Sequence, residues 1–148
     1  MKIENKFLES IIAKDMEYQY DRKVEILMEG KYKNYQFYIL NLGTHPTAYV
    51  EIPRGSKLFG KDYNEIIYDI DVHGGLTYAD DHLQDIKKDS WFLGWDYAHA
   101  YDYFGGYEKK YSHINDGCKK WTTLEIFDHV TEVINQIIKI EWEYENEQ

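Results

Sequence analysis

The sequence predicts an α+β domain: a mainly antiparallel sheet of about five strands, with a C-terminal amphipathic helix packed on one face. Two aromatic and β-branched runs, 35–42 and 47–52, flank the turn signal Gly43-Thr44-His45-Pro46. Phe127, Val130, Val133, Ile134, Ile137 and Ile138 recur at the spacing of one helical face. With 148 residues, 43% of them apolar, the chain is long enough for one real core, so 1–148 is expected to be a single domain.

Taken in order, residues 4–18 set Phe7, Leu8, Ile11, Ile12 and Met16 on one helical face and predict a short amphipathic helix. Val24, Ile26 and Met28, interrupted at Gly30, fit a short strand or the tail of that helix. The runs 35–42 and 47–52 form a β-hairpin that ends at Pro53, and 53–63 is a loop. Residues 66–72 predict another strand, broken at Gly74-Gly75, with 76–78 as its partner in a tight hairpin. The charged stretch 80–90 reads as an exposed connection. Residues 91–95 read as a strand whose Gly94 marks a bulge or a close backbone approach. Residues 97–114 have no clear period and predict an ordered loop beside the site, a candidate lid. Thr122-Thr123-Leu124-Glu125 has the form of a capping box and opens a helix running to about Glu141.

The charge balance narrows the partners. Lys and Arg total 17 against 27 Asp and Glu, a formal charge of −10, which repels a polyphosphate backbone and argues against duplex DNA or RNA. No apolar run reaches the length of a membrane span, and the N-terminus lacks the apolar segment of a signal peptide, so a cytoplasmic location is expected. The single cysteine, Cys118, excludes an internal disulfide framework and a cysteine-based zinc knuckle. Aromatic content is 17%, with 15 Tyr and 4 Trp, which serves a core and also suits stacking on bases.

The chemistry concentrates between Asp69 and His99. Asp71 and His73 share one face of the predicted strand, so the carboxylate can orient the imidazole. Asp96 and His99 join them if the two strand ends lie side by side. The loop 53–63 carries Arg54, Lys57 and Lys61 among its glycines, a local reversal of sign suited to phosphate or carboxylate. His82, His113 and His129 read as surface residues, and His45 as a turn residue.

Three uses of these residues compete. Asp71, His73, Asp96 and His99 suit a transition metal by type, but their spacing matches no compact ligand motif, so neither metal nor cofactor is assigned. His73 and His99 can serve as acid and base in a metal-independent nucleotide phosphodiesterase or other hydrolase. A binding pocket would set Arg54, Lys57 and Lys61 on phosphate and Asp71 and Asp96 on hydroxyls or amines. The amides of Gly74 and Gly75 would add to it, and His73 with Tyr78 or Trp95 would frame a base beside His99. The plainer alternative is that Asp71 and His73 only stabilise the Gly-Gly turn.

The pattern Asp71-Val72-His73-Gly74-Gly75-Leu76-Thr77-Tyr78, followed by Trp91-x-x-Gly94-Trp95-Asp96-x-Ala98-His99-Ala100-x-Asp102, resembles a family of small uncharacterised phage, prophage and plasmid proteins. The likeness covers 43–102. That family commonly has Phe where this chain has Trp95, and His-Pro-Leu-Tyr-Gly where it has Ser56-Lys57-Leu58-Phe59-Gly60. The resemblance implies a mobile-element setting, in the cytoplasm of an infected or lysogenic host cell. There the leading expectation is an anti-defence protein that sequesters a small nucleotide immune signal, with a homodimer allowed. The nucleotide hydrolase and an acidic protein that inhibits a host defence effector are the alternatives.

Overall fold

A computed structural model describes residues 7–9, 13–18, 23–106 and 113–146. The strands are β1 (Glu25–Tyr32), β2 (Tyr35–Asn41), β3 (Pro46–Glu51), β4 (Tyr78–Leu83) and β5 (Lys87–Asp96). They form one five-stranded sheet in the order β1-β2-β3-β5-β4, and every neighbouring pair is antiparallel. A short helix, α1 (Tyr63–Ile66), capped by Asp62, lies between β3 and β4. The long helix α2 (Thr123–Asn146) closes the chain. The α+β architecture predicted from sequence is the one observed.

Alternation along the strands builds two cores. Phe37, Ile39, Ala48, Val50, Leu93 and Trp95 belong to the larger one, together with Ile126, Phe127, Val130, Val133, Ile134 and Ile137 of α2. Tyr38, Leu40, Tyr49, Leu83 and Phe92 form a second, smaller cluster. Gly94 of β5 lies under the Tyr49 ring of β3: a Cβ there would stand 2.5 Å from Tyr49 Cδ1. The capping box forms as expected, with Glu125 N donating to Thr122 Oγ1 at 3.2 Å and Thr122 N to Glu125 Oε1 at 3.0 Å. The helix runs five residues past the predicted end, to Asn146.

Four expectations are corrected. The helix over 4–18 lies partly outside the described residues, and within 7–9 and 13–18 the chain is not helical. There the backbone serves the free edge of β1: Glu9 N donates to Lys31 O and Lys14 N to Leu27 O. Asp15 Oδ1 accepts from Thr123 N at the start of α2. The segment 66–72 is the end of α1 and a run of turns instead of a strand. Gly74-Gly75 makes a turn, with Gly75 N on Val72 O at 2.8 Å, and joins no hairpin. The stretch 80–90 is no mere connection, because it holds most of β4 and the start of β5. Its charges hid a strand at the sheet edge, where polar residues discourage pairing with other chains. The 97–114 stretch is irregular over 97–106 apart from a single bridge at Asp102, and its described end enters a 3₁₀ turn at 113–115; 107–112 lie outside the described residues.

Candidate functional site

His73 sits on the turn after α1, which packs on α2 through Gln136. The Asp71 amide donates to Gln136 Oε1 at 2.7 Å, and Gln136 Nε2 donates to the Asp71 carbonyl at 2.8 Å. One helix side chain thus satisfies both backbone groups of a segment that has no strand partner. Gly74 and Gly75 both have positive φ, 70° and 79°, a region that disfavours residues with a Cβ.

Asp102 comes from the loop after β5. Its backbone forms a bridge with Lys119, where Lys119 N donates to Tyr101 O and Tyr103 N to Lys119 O. The carboxylate is buried, its side chain only 3% exposed, and it is well supplied with donors. His73 Nε2 donates to Oδ2 at 2.8 Å and Trp121 Nε1 to Oδ1 at 2.8 Å. The His99 amide adds a third at 3.0 Å. Burial alone would push this carboxyl upward; the three donors and the His73 charge outweigh it and hold Asp102 below the usual carboxylate range.

His99 completes the cluster. Its ring lies edge-on to that of His73, with centroids 5.6 Å apart. His99 Nδ1 stands 3.6 Å from both Asp96 Oδ1 and Asp102 Oδ2. That atom is buried and, among the described residues, has no hydrogen-bond partner. Asp96 is itself tied down, accepting from Thr77 Oγ1 and from the Ala98 amide. Beside the cluster opens a cavity of about 370 Å³, whose wall includes His99, Asp102, Tyr101, Phe104, Asn115 and Cys118.

Rings back the cluster. His73 stacks on Tyr97 at 4.9 Å with 8° between planes, Tyr97 lies parallel to His129 at 5.9 Å, and Trp121 tilts against all three. Trp95 Nε1 donates to Tyr97 Oη at 3.0 Å, so the Tyr97 hydroxyl hydrogen is left for His129 Nδ1 at 2.7 Å. Burial lowers the affinity of His129 for a proton, in keeping with its role as acceptor. His129 is therefore half-buried behind the site and not a surface residue.

Of the residues singled out in the sequence, the structure brings His73, Gly74, Asp96 and His99 together, and sets Tyr78 and Trp95 with Asp96 along a separate cavity of about 230 Å³. Asp71 is exposed, and it is Asp102 that orients His73. Trp95 is 1% exposed beneath Tyr97, and Tyr78 belongs to the opposite cluster, its hydroxyl on the His82 carbonyl, so neither frames a base beside His73. The cationic loop lies at the far end of α2. Ser56 bonds Glu141, Lys57 Nζ sits 4.1 Å over the Tyr144 ring, Arg54 donates to Asp89 O, and Lys61 faces Glu65. Along the helix, His129 and Tyr144 are about 20 Å apart at 1.5 Å per residue. Arg54, Lys57 and Lys61 are thus not part of the histidine site.

Asp102, Tyr97, Trp121 and His129 were not singled out by sequence reasoning. Asp102 closes the 71–102 pattern and stands three residues after His99, a signal available in the string itself. Tyr97 and Trp121 come from segments with no periodic cue, and His129 lies on the periodic helix α2, where it reads as a surface residue beside the apolar face. No protein-family model, curated protein or solved structure matches the chain.

Proposed function

We propose that the chain is a hydrolase of a small substrate of the nucleotide class, with His73, His99, Asp96 and Asp102 as its reacting centre. One observation carries this reading: two imidazoles converge on a buried, donor-saturated carboxylate at the wall of a cavity. Such a carboxylate fixes a histidine's tautomer and lets it accept and return a proton. In the step, the oxygen of water bonds to the electrophilic phosphorus while the P–O bond to the leaving group breaks. One water proton passes to the centre and ends on the leaving oxygen. Hydrolysis fits this geometry better than sequestration, because the cations and rings meant to hold phosphate and base lie elsewhere. In the mobile-element setting that the 71–102 pattern implies, the chemistry would destroy an immune signal.

The test is incubation with cyclic and linear nucleotides, followed by denaturation, chromatography and mass spectrometry. The expected result is a product one water heavier than its substrate, formed at least about 100-fold more slowly by His99→Ala. Recovery of a depleted nucleotide unchanged would make the protein a binder. Depletion of none would remove the nucleotide reading.

A further inference from the structure

We infer that His73 Nε2, His99 Nδ1 and an Asp102 carboxylate oxygen form a site for a divalent transition-metal ion. Donor atoms of these three residues lie within 4.8 Å of one another. Around an ion with ligands at about 2.1 Å, neighbouring donors of a tetrahedral site stand roughly 3.4 Å apart. The His99–Asp102 separation, 3.6 Å, is close to that value, while the 2.8 Å between His73 Nε2 and Asp102 is that of their hydrogen bond, whose proton the ion would displace. Small side-chain shifts bring all three to one centre.

The orphaned nitrogen makes the case specific. His99 Nδ1 is buried with two carboxylate oxygens each at 3.6 Å. If that nitrogen carried a proton, a charge-assisted bond would draw it to under about 3 Å from one carboxylate. If it carried a lone pair, it would face two anions with nothing between them. A cation among the three groups resolves both difficulties. The ring is also held in place independently, since its atoms fill the space where a Gly74 side chain would stand.

The surroundings fit a metal. The Trp121 indole and the His99 amide orient the Asp102 carboxylate from outside, as donors behind a ligand commonly do. Two imidazoles and one carboxylate suit Zn²⁺ or Fe²⁺ and not the all-oxygen preference of Mg²⁺ or Ca²⁺. An ion also mends a defect of the proposed hydrolase. Among the described residues, the ionic partners of Asp102 are imidazoles, and Lys119, whose ammonium sits 4.3 Å over the Trp121 ring, is paired with Glu125. A bound ion would supply the positive charge that offsets a substrate's phosphate; with His73 Nε2 and His99 Nδ1 as its ligands, the proton-accepting role would pass to Asp96, 3.6 Å from His99 Nδ1. The ion's catalytic role rests on the hydrolytic reading; its binding rests on the donors alone.

The experiment is titration of metal-stripped, full-length protein with Co²⁺, read by visible absorption, and with Zn²⁺, read by calorimetry. The expected result is one ion per chain, with affinity at least ten-fold weaker in His99→Ala, a partly exposed position whose loss leaves the core intact. His82→Ala should bind as the parent does; it tests the exposed Asp80–Asp81–His82 cluster, the other donor group among the described residues. No binding by the parent, unchanged binding by His99→Ala, or loss of binding in His82→Ala each overturns the site. Metal binding without turnover of any nucleotide sinks the hydrolase and keeps the centre. Turnover that persists without bound metal keeps the hydrolase and overturns the ion's catalytic role.

Discussion

The imidazole of His99 occupies the space of the side chain that Gly74 lacks: a Cβ at Gly74 would lie 2.2 Å from His99 Cε1 and 2.6 Å from Nδ1. Gly74→Ala must therefore displace His99 in addition to straining a backbone at φ 70°. Gly75 has a similar φ of 79° and open space around it, so Gly75→Ala isolates the strain, worth about 1 kcal/mol. Co²⁺ titration of the two variants should show binding lost in the first and kept in the second. Equal behaviour would mean that the position of His99 does not matter.

Asp102 ties together three segments. Asp102→Asn removes the charge but leaves the donors His73, Trp121 and the His99 amide in place, at a cost of about 3 kcal/mol in chemical denaturation. The pH dependence follows from its lowered folded-state value. Its contribution is fully present above the ordinary carboxylate value, about pH 4, and is lost as pH falls from there through the folded value. The acid limb of the stability curve should be flatter in the variant than in the parent.

His129 acts in a higher window with the same sign. Its folded-state value is lowered by burial, so the unfolded chain takes up the proton first, and stability declines as pH falls below about 6.5. His129→Gln, which keeps an acceptor for Tyr97, should remove that slope. Denaturation midpoints at pH 7.5, 6.5 and 5.5 would reveal it, and an unchanged slope would assign the titration elsewhere.

Gly94 faces Tyr49 across β3 and β5, with Ala48 O also 3.1 Å from the position of a Cβ. Because the second contact is backbone, rotation of the tyrosine cannot relieve the clash. Gly94→Ala should cost about 2 kcal/mol in thermal unfolding. A neutral result would show that the two strands separate easily.

Sequence patterns made the sheet-and-helix plan legible where one periodicity ran without interruption. Residues 35–42 and 47–52 are runs of strand formers on either side of the turn at Gly43, and α2 repeats its apolar face from Phe127 to Ile138. They misled where a tertiary partner replaced a local one. Apolar spacing in 66–72 suited a strand, yet Gln136 satisfies the Asp71 backbone and no ladder is needed. The charges of Asp80, Asp81 and His82 suited a loop, yet an edge strand tolerates them. At the site, His73, Asp96 and His99 were evident as residue types next to strand ends and glycines. Their true partner, Asp102, was hidden because pairing across 29 residues follows from the loop path, which no period encodes.

The segments that present His73 and Asp102 have almost no regular structure, and their anchors are remote in the chain. Gln136 lies 65 residues from Asp71, and Trp121 lies 19 from Asp102. Sheet and helix must therefore be in place before these loops can settle, which makes the centre a late event in folding. It should also be an early one in local opening. Amide hydrogen exchange at Asp71 and His99 would run ahead of exchange in β2 and β3, and a bound ion would slow those two amides far more than the strands.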